Sequence, residues 1–140
     1  MKVRANGIEI NYVLEGPEDA PTVTLSHSLA TSHFLWELQV EKLKLNYRVL
    51  RYDTRGHGQT DAPNGPYTWD QLTGDVVGLW NELGIKKSHY VGLSMGGMTG
   101  IGVGLQYPDR LLSLSACDCR ADAPEFFRKM WAARQAGVDA

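Results

Sequence analysis

The chain has 140 residues, 43% hydrophobic and 21% charged, with 14 Lys and Arg against 16 Asp and Glu for a net charge of −2. That is about one domain of ordinary globular composition, and the charge, with a pI near 6.0, makes no electrostatic case for binding nucleic acid or an anionic membrane. Met1-Lys2-Val3-Arg4 runs into polar residues without an apolar leader core, and no stretch nears the roughly 18 apolar residues of a membrane span, so a cytoplasmic protein is expected.

Asn6-Gly7 lies between Val3-Arg4-Ala5 and Ile8-Glu9-Ile10. This predicts a hairpin with strands at about 2–5 and 8–14, because a type I′ turn needs positive φ at both central residues. Gly16-Pro17 breaks the chain, after which strand-like and helix-like segments alternate. Val23-Thr24-Leu25 leads into a loop from Ser26 to Ala30, and Ser32 is placed to cap a segment whose Trp36, Val40 and Leu43 recur at helical spacing. Arg48 to Tyr52 reads as a strand and Asp53 to Pro66 as turns. Thr68 with Gln71 spells a capping box, and Trp69, Leu72, Val76, Leu79 and Leu83 form one apolar stripe ending near Gly84.

His89-Tyr90-Val91 is the next strand, and the helix expected over about 95–106 carries Gly96, Gly97, Gly100, Gly102 and Gly104. Each glycine costs up to about 1 kcal/mol relative to Ala, which implies either close approach of helix to sheet or a frayed helix. Leu111 to Ala116 reads as a last strand, and a final helix is expected from about Pro124 to Ala136. Such alternation predicts an α/β fold with parallel strands and helices on both faces. Cys117 and Cys119, two apart at a strand end, read as small buried residues; that spacing strains a disulfide, and no His lies near to complete a metal site.

Gly92-Leu93-Ser94-Met95-Gly96 stands between a predicted strand and a predicted helix. With 15 Gly and seven Ser in the chain, chance gives roughly 0.08 matches to Gly-x-Ser-x-Gly, so the string gains its weight from that context. A strand turning abruptly into a helix pushes the serine Oγ out of the sheet, and Ser94 is therefore the candidate nucleophile. The negative charge developing on an attacked carbonyl needs donors. By position these are the Met95 amide, at the positive end of its helix, and the Leu29 amide in the loop Ser26-His27-Ser28-Leu29. Arg51 to Thr60 gathers Asp53, Arg55 and His57 but reads as scaffold: charged groups after a buried strand must be paired, and Gly56 and Gly58 permit a tight turn. His27 and His33 are expected to line or border the pocket, and His89 to begin a strand.

Taken together, His27-Ser28-Leu29, Trp36, Asp53-Thr54-Arg55-Gly56-His57-Gly58, Tyr67-Thr68 and Gly92-Leu93-Ser94-Met95-Gly96-Gly97 resemble the α/β-hydrolase superfamily, and within it the 3-oxoadipate enol-lactonases. Haloperoxidase-like esterases and carbon–carbon bond hydrolases share most of the set, while Ser rather than Asp at 94 argues against a dehalogenase. The resemblance implies a mostly parallel sheet over residues 1–120, truncated after its sixth strand, and the start of a helical cap over 121–140. It also implies a Ser/Asp/His triad in that order, with acid and base on later loops beyond Ala140. Asp118 follows the last strand, where some members draw the acid, although a turn carboxylate is the plainer reading. Arg128 and Arg134 read as solvated charges on the cap helix, with a substrate carboxylate as the other use.

A serine without its base is a poor nucleophile. The expectation is therefore a serine hydrolase of a small ester or lactone, 3-oxoadipate enol-lactone first, with no cofactor and no metal and with weak activity in the isolated chain. The strand at 111–116 would be an open apolar edge that invites pairing with another copy or with a complementing C-terminal chain. The rival expectation is a non-catalytic module of the same fold that works only through self-association or a partner.

Overall fold

The computed structural model describes residues 1–138. Six strands form one sheet: β1 (Lys2–Ala5), β2 (Ile8–Glu15), β3 (Thr22–Ser26), β4 (Arg48–Tyr52), β5 (Ser88–Leu93) and β6 (Leu111–Cys117), in spatial order β1-β2-β4-β3-β5-β6. β1 and β2 form the antiparallel hairpin expected at Asn6-Gly7, where φ is 48° and 83°. β2 is antiparallel to β4, and the pairs β4–β3, β3–β5 and β5–β6 are parallel.

Four helices connect and flank the strands: α1 (Glu37–Leu43), α2 (Trp69–Glu82), α3 (Met95–Gln106) and α4 (Glu125–Val138). α1 covers one face, where Val40 packs with Val23, Leu25, Trp36 and Val49. α2 and α3 cover the other, where Val76, Leu79, Trp80 and Val103 pack on Ile10, Leu50, Tyr52 and Tyr90. The capping box at Thr68 forms as expected, with Thr68 Oγ1 accepting from the Gln71 amide at 3.2 Å and Gln71 Oε1 accepting from the Thr68 amide at 2.9 Å. None of the helices among the described residues is long and apolar enough to cross a membrane.

Several expectations need correction. Ser32 precedes a 3-10 turn (His33–Trp36) rather than α1 itself, and its side chain makes no capping bond. Trp69 is not core but 49% exposed, because at the first position of α2 it faces the carboxyl edge of the sheet rather than the sheet. The buried tryptophan of α2 is Trp80, whose indole N–H donates to Thr24 Oγ1 at 2.9 Å. Cys117 is exposed and Cys119 half-buried, both as free thiols, since β6 is an edge strand with little covering it. Along β6, Leu112 and Leu114 are exposed. α4 spans Glu125–Val138 against an expected 124–136, and residues 139–140 of the expected cap segment lie outside the described residues. Arg128 is exposed, and Arg134 stacks its guanidinium over the Trp131 ring at 4.9 Å.

The strand order places a crevice. β3 connects outward to β4 on one side and β5 outward to β6 on the other, although β3 and β5 are neighbours. Their loops diverge, and adjacent parallel strands with diverging connections leave a cleft outside their carboxyl ends.

Candidate active site

Ser94 stands at that cleft, between the end of β5 and the first residue of α3. Its backbone has φ 52° and ψ −113°, a combination that residues with a Cβ rarely adopt. Ser94 is half-buried, and its side chain makes no capping bond to the helix. The bend is built by absence of side chains. A Cβ at Gly92 would overlap the Gly96 carbonyl oxygen, and a Cβ at Gly96 would overlap that of Ser26. The same explanation serves further along α3. A Cβ at Gly100 would come within 2.6 Å of the Tyr90 ring and one at Gly102 within 2.5 Å of Thr73 Oγ1 on α2. These two mark close approach to the sheet and to the neighbouring helix, while α3 itself is continuous. The Ser94 amide donates to the Cys117 carbonyl at 2.9 Å, tying the bend to the end of β6.

Across the cleft, the loop after β3 carries Leu29. Its amide has no backbone acceptor among the described residues. Met95 occupies the first helical position of α3, where amides lack intrahelical acceptors. Leu29 and Met95 line a common cavity of about 280 Å³ with Thr54, Arg55, His57, Tyr67 and Trp69. Its lining mixes the apolar Leu29, Trp69, Leu72 and Met95 with Thr54, Arg55, His57, Tyr67 and Thr68, which bear polar atoms.

His27 and His33 are buried, bonded groups that do not themselves line the cavity. His27 borders it, accepting the Thr54 amide and lying 5.3 Å from the His57 ring, and Thr54 and His57 are both lining residues. His27 Nδ1 donates to the Ser28 carbonyl at 2.8 Å while its Nε2 accepts from the Thr54 amide at 2.9 Å, which fixes one neutral tautomer. Burial lowers the His27 pKa, with nearby His57 adding to the effect and the Ser28 carbonyl opposing it. The Ser28 carbonyl belongs to the same peptide unit as the Leu29 amide. Holding one end of that plane therefore aims the other.

The 51–60 segment is a scaffold, as its composition suggests. Asp53, 1% exposed, accepts from the Asn11 side chain at 2.8 Å, the Gln59 amide at 3.0 Å, and both the amide and Nδ1 of His33 at 2.8 Å. Burial alone would raise its pKa, but these donors outweigh burial and bring it to about 2. Gly58, at φ 53°, leaves room for that carboxylate, onto which a Cβ would fall. Arg55 pairs bidentately with Asp75, both bonds 2.6 Å and both side chains buried, and Arg51 reaches Glu15 at 2.9 Å. What composition did not reveal is that His57 of this segment lines the cavity. Its spacing in a Gly-x-Gly turn was the available signal.

Asp118, the other acid considered, is exposed in the turn after β6 with φ 45°. Among the described residues no three His, Cys, Asp or Glu side chains are grouped so as to hold a metal ion.

A family model described as alpha/beta hydrolase fold matches residues 21–137. The chain belongs to the alpha/beta hydrolase family. It is 37% identical over all its residues to the 3-oxoadipate enol-lactonase 1 of Acinetobacter baylyi, of which it covers 52%. Among solved structures, this hydrolase-family chain superposes on the enol-lactonase from Burkholderia xenovorans LB400 with a TM-score of 0.87 at 40% identity, covering 99% of itself and 58% of that chain. A hydrolase from Pseudomonas aeruginosa PA01 gives a TM-score of 0.92 at 34% identity, with 99% and 52% covered. The chain thus spans about half the length of the relatives it matches.

Proposed function

We propose that this hydrolase-family chain carries the nucleophile and oxyanion parts of a serine hydrolase for a small ester or lactone, with Ser94 as nucleophile and the Leu29 and Met95 amides as oxyanion donors. The observation that carries the reading is the conformation of Ser94: φ 52° and ψ −113° at the carboxyl edge of a parallel sheet, half-buried, with helix α3 beginning at the next residue. Backbone strain of this kind costs on the order of 1–3 kcal/mol and persists where the surroundings over-determine it, commonly at functional sites.

In the proposed reaction the Ser94 Oγ attacks the carbonyl carbon, and the carbonyl oxygen takes up negative charge between the two amides. Collapse expels the alcohol or enol oxygen and leaves an acyl-serine, which water cleaves to release the acid. The Oγ proton must pass to a base. The reading assigns neither that base nor its acid partner to a residue described above, and it takes α4 as the start of a helical cap. Similarity to the two enol-lactonases makes 3-oxoadipate enol-lactone the first substrate to try.

Fluorophosphonate labelling with mass mapping tests the reading. Wild type should label at Ser94 and Ser94→Ala should not; equal labelling of the two would end it. The rival, a module acting through self-association or a partner chain, draws support from the exposed Leu112 and Leu114 of β6 and from Phe126 and Trp131 of α4, 73% and 45% exposed. Light scattering on a sizing column separates them: a monomer at all concentrations removes the self-association form of that rival.

A further inference from the structure

The loop bearing Leu29 is held by a reciprocal pair of histidine bonds. His27, on that loop, accepts the Thr54 amide of the 53–60 segment through Nε2 at 2.9 Å. His57, on the 53–60 segment, accepts the Ala30 amide of the oxyanion loop through Nε2 at 3.2 Å, and its Nδ1 donates to the Arg55 carbonyl at 3.1 Å. Each ring thus accepts an amide from the other's segment, and the ring centroids lie 5.3 Å apart. Ala30 has φ 59°, a left-handed backbone disfavoured for any residue with a Cβ, so something must hold the 29–30 peptide in place.

We propose that neutral His57 is a positioning residue that fixes the Leu29–Ala30 peptide, and that its protonation releases the oxyanion loop. The proposal rests on the reading of Leu29 as an oxyanion donor. The logic is that of donors and acceptors. In the tautomer that serves both bonds, the proton sits on Nδ1 and the lone pair on Nε2. A second proton on Nε2 would face the Ala30 N–H donor head-on and break the bond.

The charged and titratable groups around His57 do not offset this. His27, held neutral by its own two bonds, sits across the interface. On the same segment, Asp53 is committed to His33, Asn11 and Gln59, and Arg55 to Asp75. Tyr67 packs its ring against Gly56 and donates its hydroxyl to the Pro63 carbonyl, and His57 lines the cavity half-buried.

Nitrogen-15 NMR of the whole chain tests this without any chemistry at Ser94. At neutral pH the His57 ring should show the Nδ1–H tautomer, and the Leu29 and Ala30 amide resonances should move together with His57 protonation as pH falls. His57→Gln, whose amide oxygen can take the place of Nε2, should keep the neutral-pH positions and lose that response. His57→Ala should speed exchange of the Ala30 amide roughly fivefold to tenfold, the protection that one accessible hydrogen bond gives. An Nε2–H tautomer, an Ala30 amide indifferent to His57, or a pH response surviving in His57→Gln would overturn the proposal. If His57→Ala does not fold, wild type and His57→Gln decide alone. Labelling of Ser94 should fall over the same pH range in wild type and not in His57→Gln. Absence of labelling at every pH would strike the nucleophile reading and leave the NMR outcome standing.

Discussion

At the bend after β5, Gly92 and Gly96 leave no room for a Cβ, and the backbone of α3 rests on the carbonyls of Ser26 and His27. The facing loop after β3, which supplies those carbonyls at its start, has no glycine between Ser26 and Ser32. Its shape comes instead from bonds made by His27, His57 and Thr31, anchored on a segment whose own centre is the buried Asp53. One side of the cleft is set by steric exclusion and the other by hydrogen bonds to groups that titrate. Steric exclusion is indifferent to pH and intolerant of added volume; a bonded network tolerates volume but depends on protonation state. The two halves of the cleft should therefore fail under different insults.

The largest effect is expected from adding volume at the bend. Gly96→Ala should destabilise the chain by about 3 kcal/mol or more, the upper end of overpacking, because the atoms met are backbone and cannot swing aside. Gly104→Ala is the matched control in the same helix. Its Cβ would meet only Leu111 Cδ1 at 3.5 Å and Leu114 Cδ2 at 3.8 Å, ordinary contacts, so helix propensity should give a gain of up to about 1 kcal/mol. Denaturant midpoints of the two variants check the pair. Equal effects would mean that the bend is not sterically set.

The opposite insult acts on the bonded side. The Asp53 carboxyl is held at about 2 against an ordinary 3.8, so the folded pKa lies below the unfolded one. Its contribution is then fully present above about pH 4 and is lost as pH falls toward 2, and the shift corresponds to roughly 2 kcal/mol. Denaturation at pH 6 and pH 2.5 should show that loss in wild type beyond whatever Asp53→Asn shows. Identical slopes in the two would place the acid sensitivity elsewhere.

A smaller change separates strain from exclusion at the bend itself. Ser94→Gly should stabilise the chain by about 1 kcal/mol, since glycine adopts φ 52° without the penalty a Cβ incurs, and should abolish labelling. A gain in melting temperature with loss of reaction is the signature. No gain would mean that position 94 holds no strain.

These contrasts also explain what could be read in advance. Local rules carried the hairpin at Asn6-Gly7, the capping box at Thr68 and Gln71, and the Gly-x-Ser-x-Gly bend, because each is fixed by neighbours within a few residues. The bonded side was less legible. His27 meets Thr54 and His57 meets Ala30, each 27 residues away, and only the strand order β4-β3-β5 brings those loops together. Hence the sequence places His27 and His33 in or beside the cavity but reads His57, which lines it, as scaffold. Trp69 and Trp80 both fit a helical apolar pattern, and which of them is buried depends on where α2 clears the sheet edge. The open edge expected at 111–116 is there, and the burial expected for the cysteines is at odds with it: Cys117, the last residue of that exposed edge strand, is itself exposed.

The smallest effect concerns Asp118, which tests whether nearness alone matters. It follows Cys117, whose carbonyl accepts the Ser94 amide, so its backbone is joined to the bend by a single bond. Its side chain nevertheless lies exposed at the sheet edge. An exposed carboxylate of this kind is screened by water, and its removal should change stability by less than about 0.5 kcal/mol. Asp118→Asn keeps the shape and suits φ 45°, as Asn readily adopts that backbone. It should leave the labelling rate of Ser94 unchanged. A tenfold fall in labelling with unchanged stability would instead make Asp118 the acid of the site, and the turn after β6 would then become a third functional loop of the cleft.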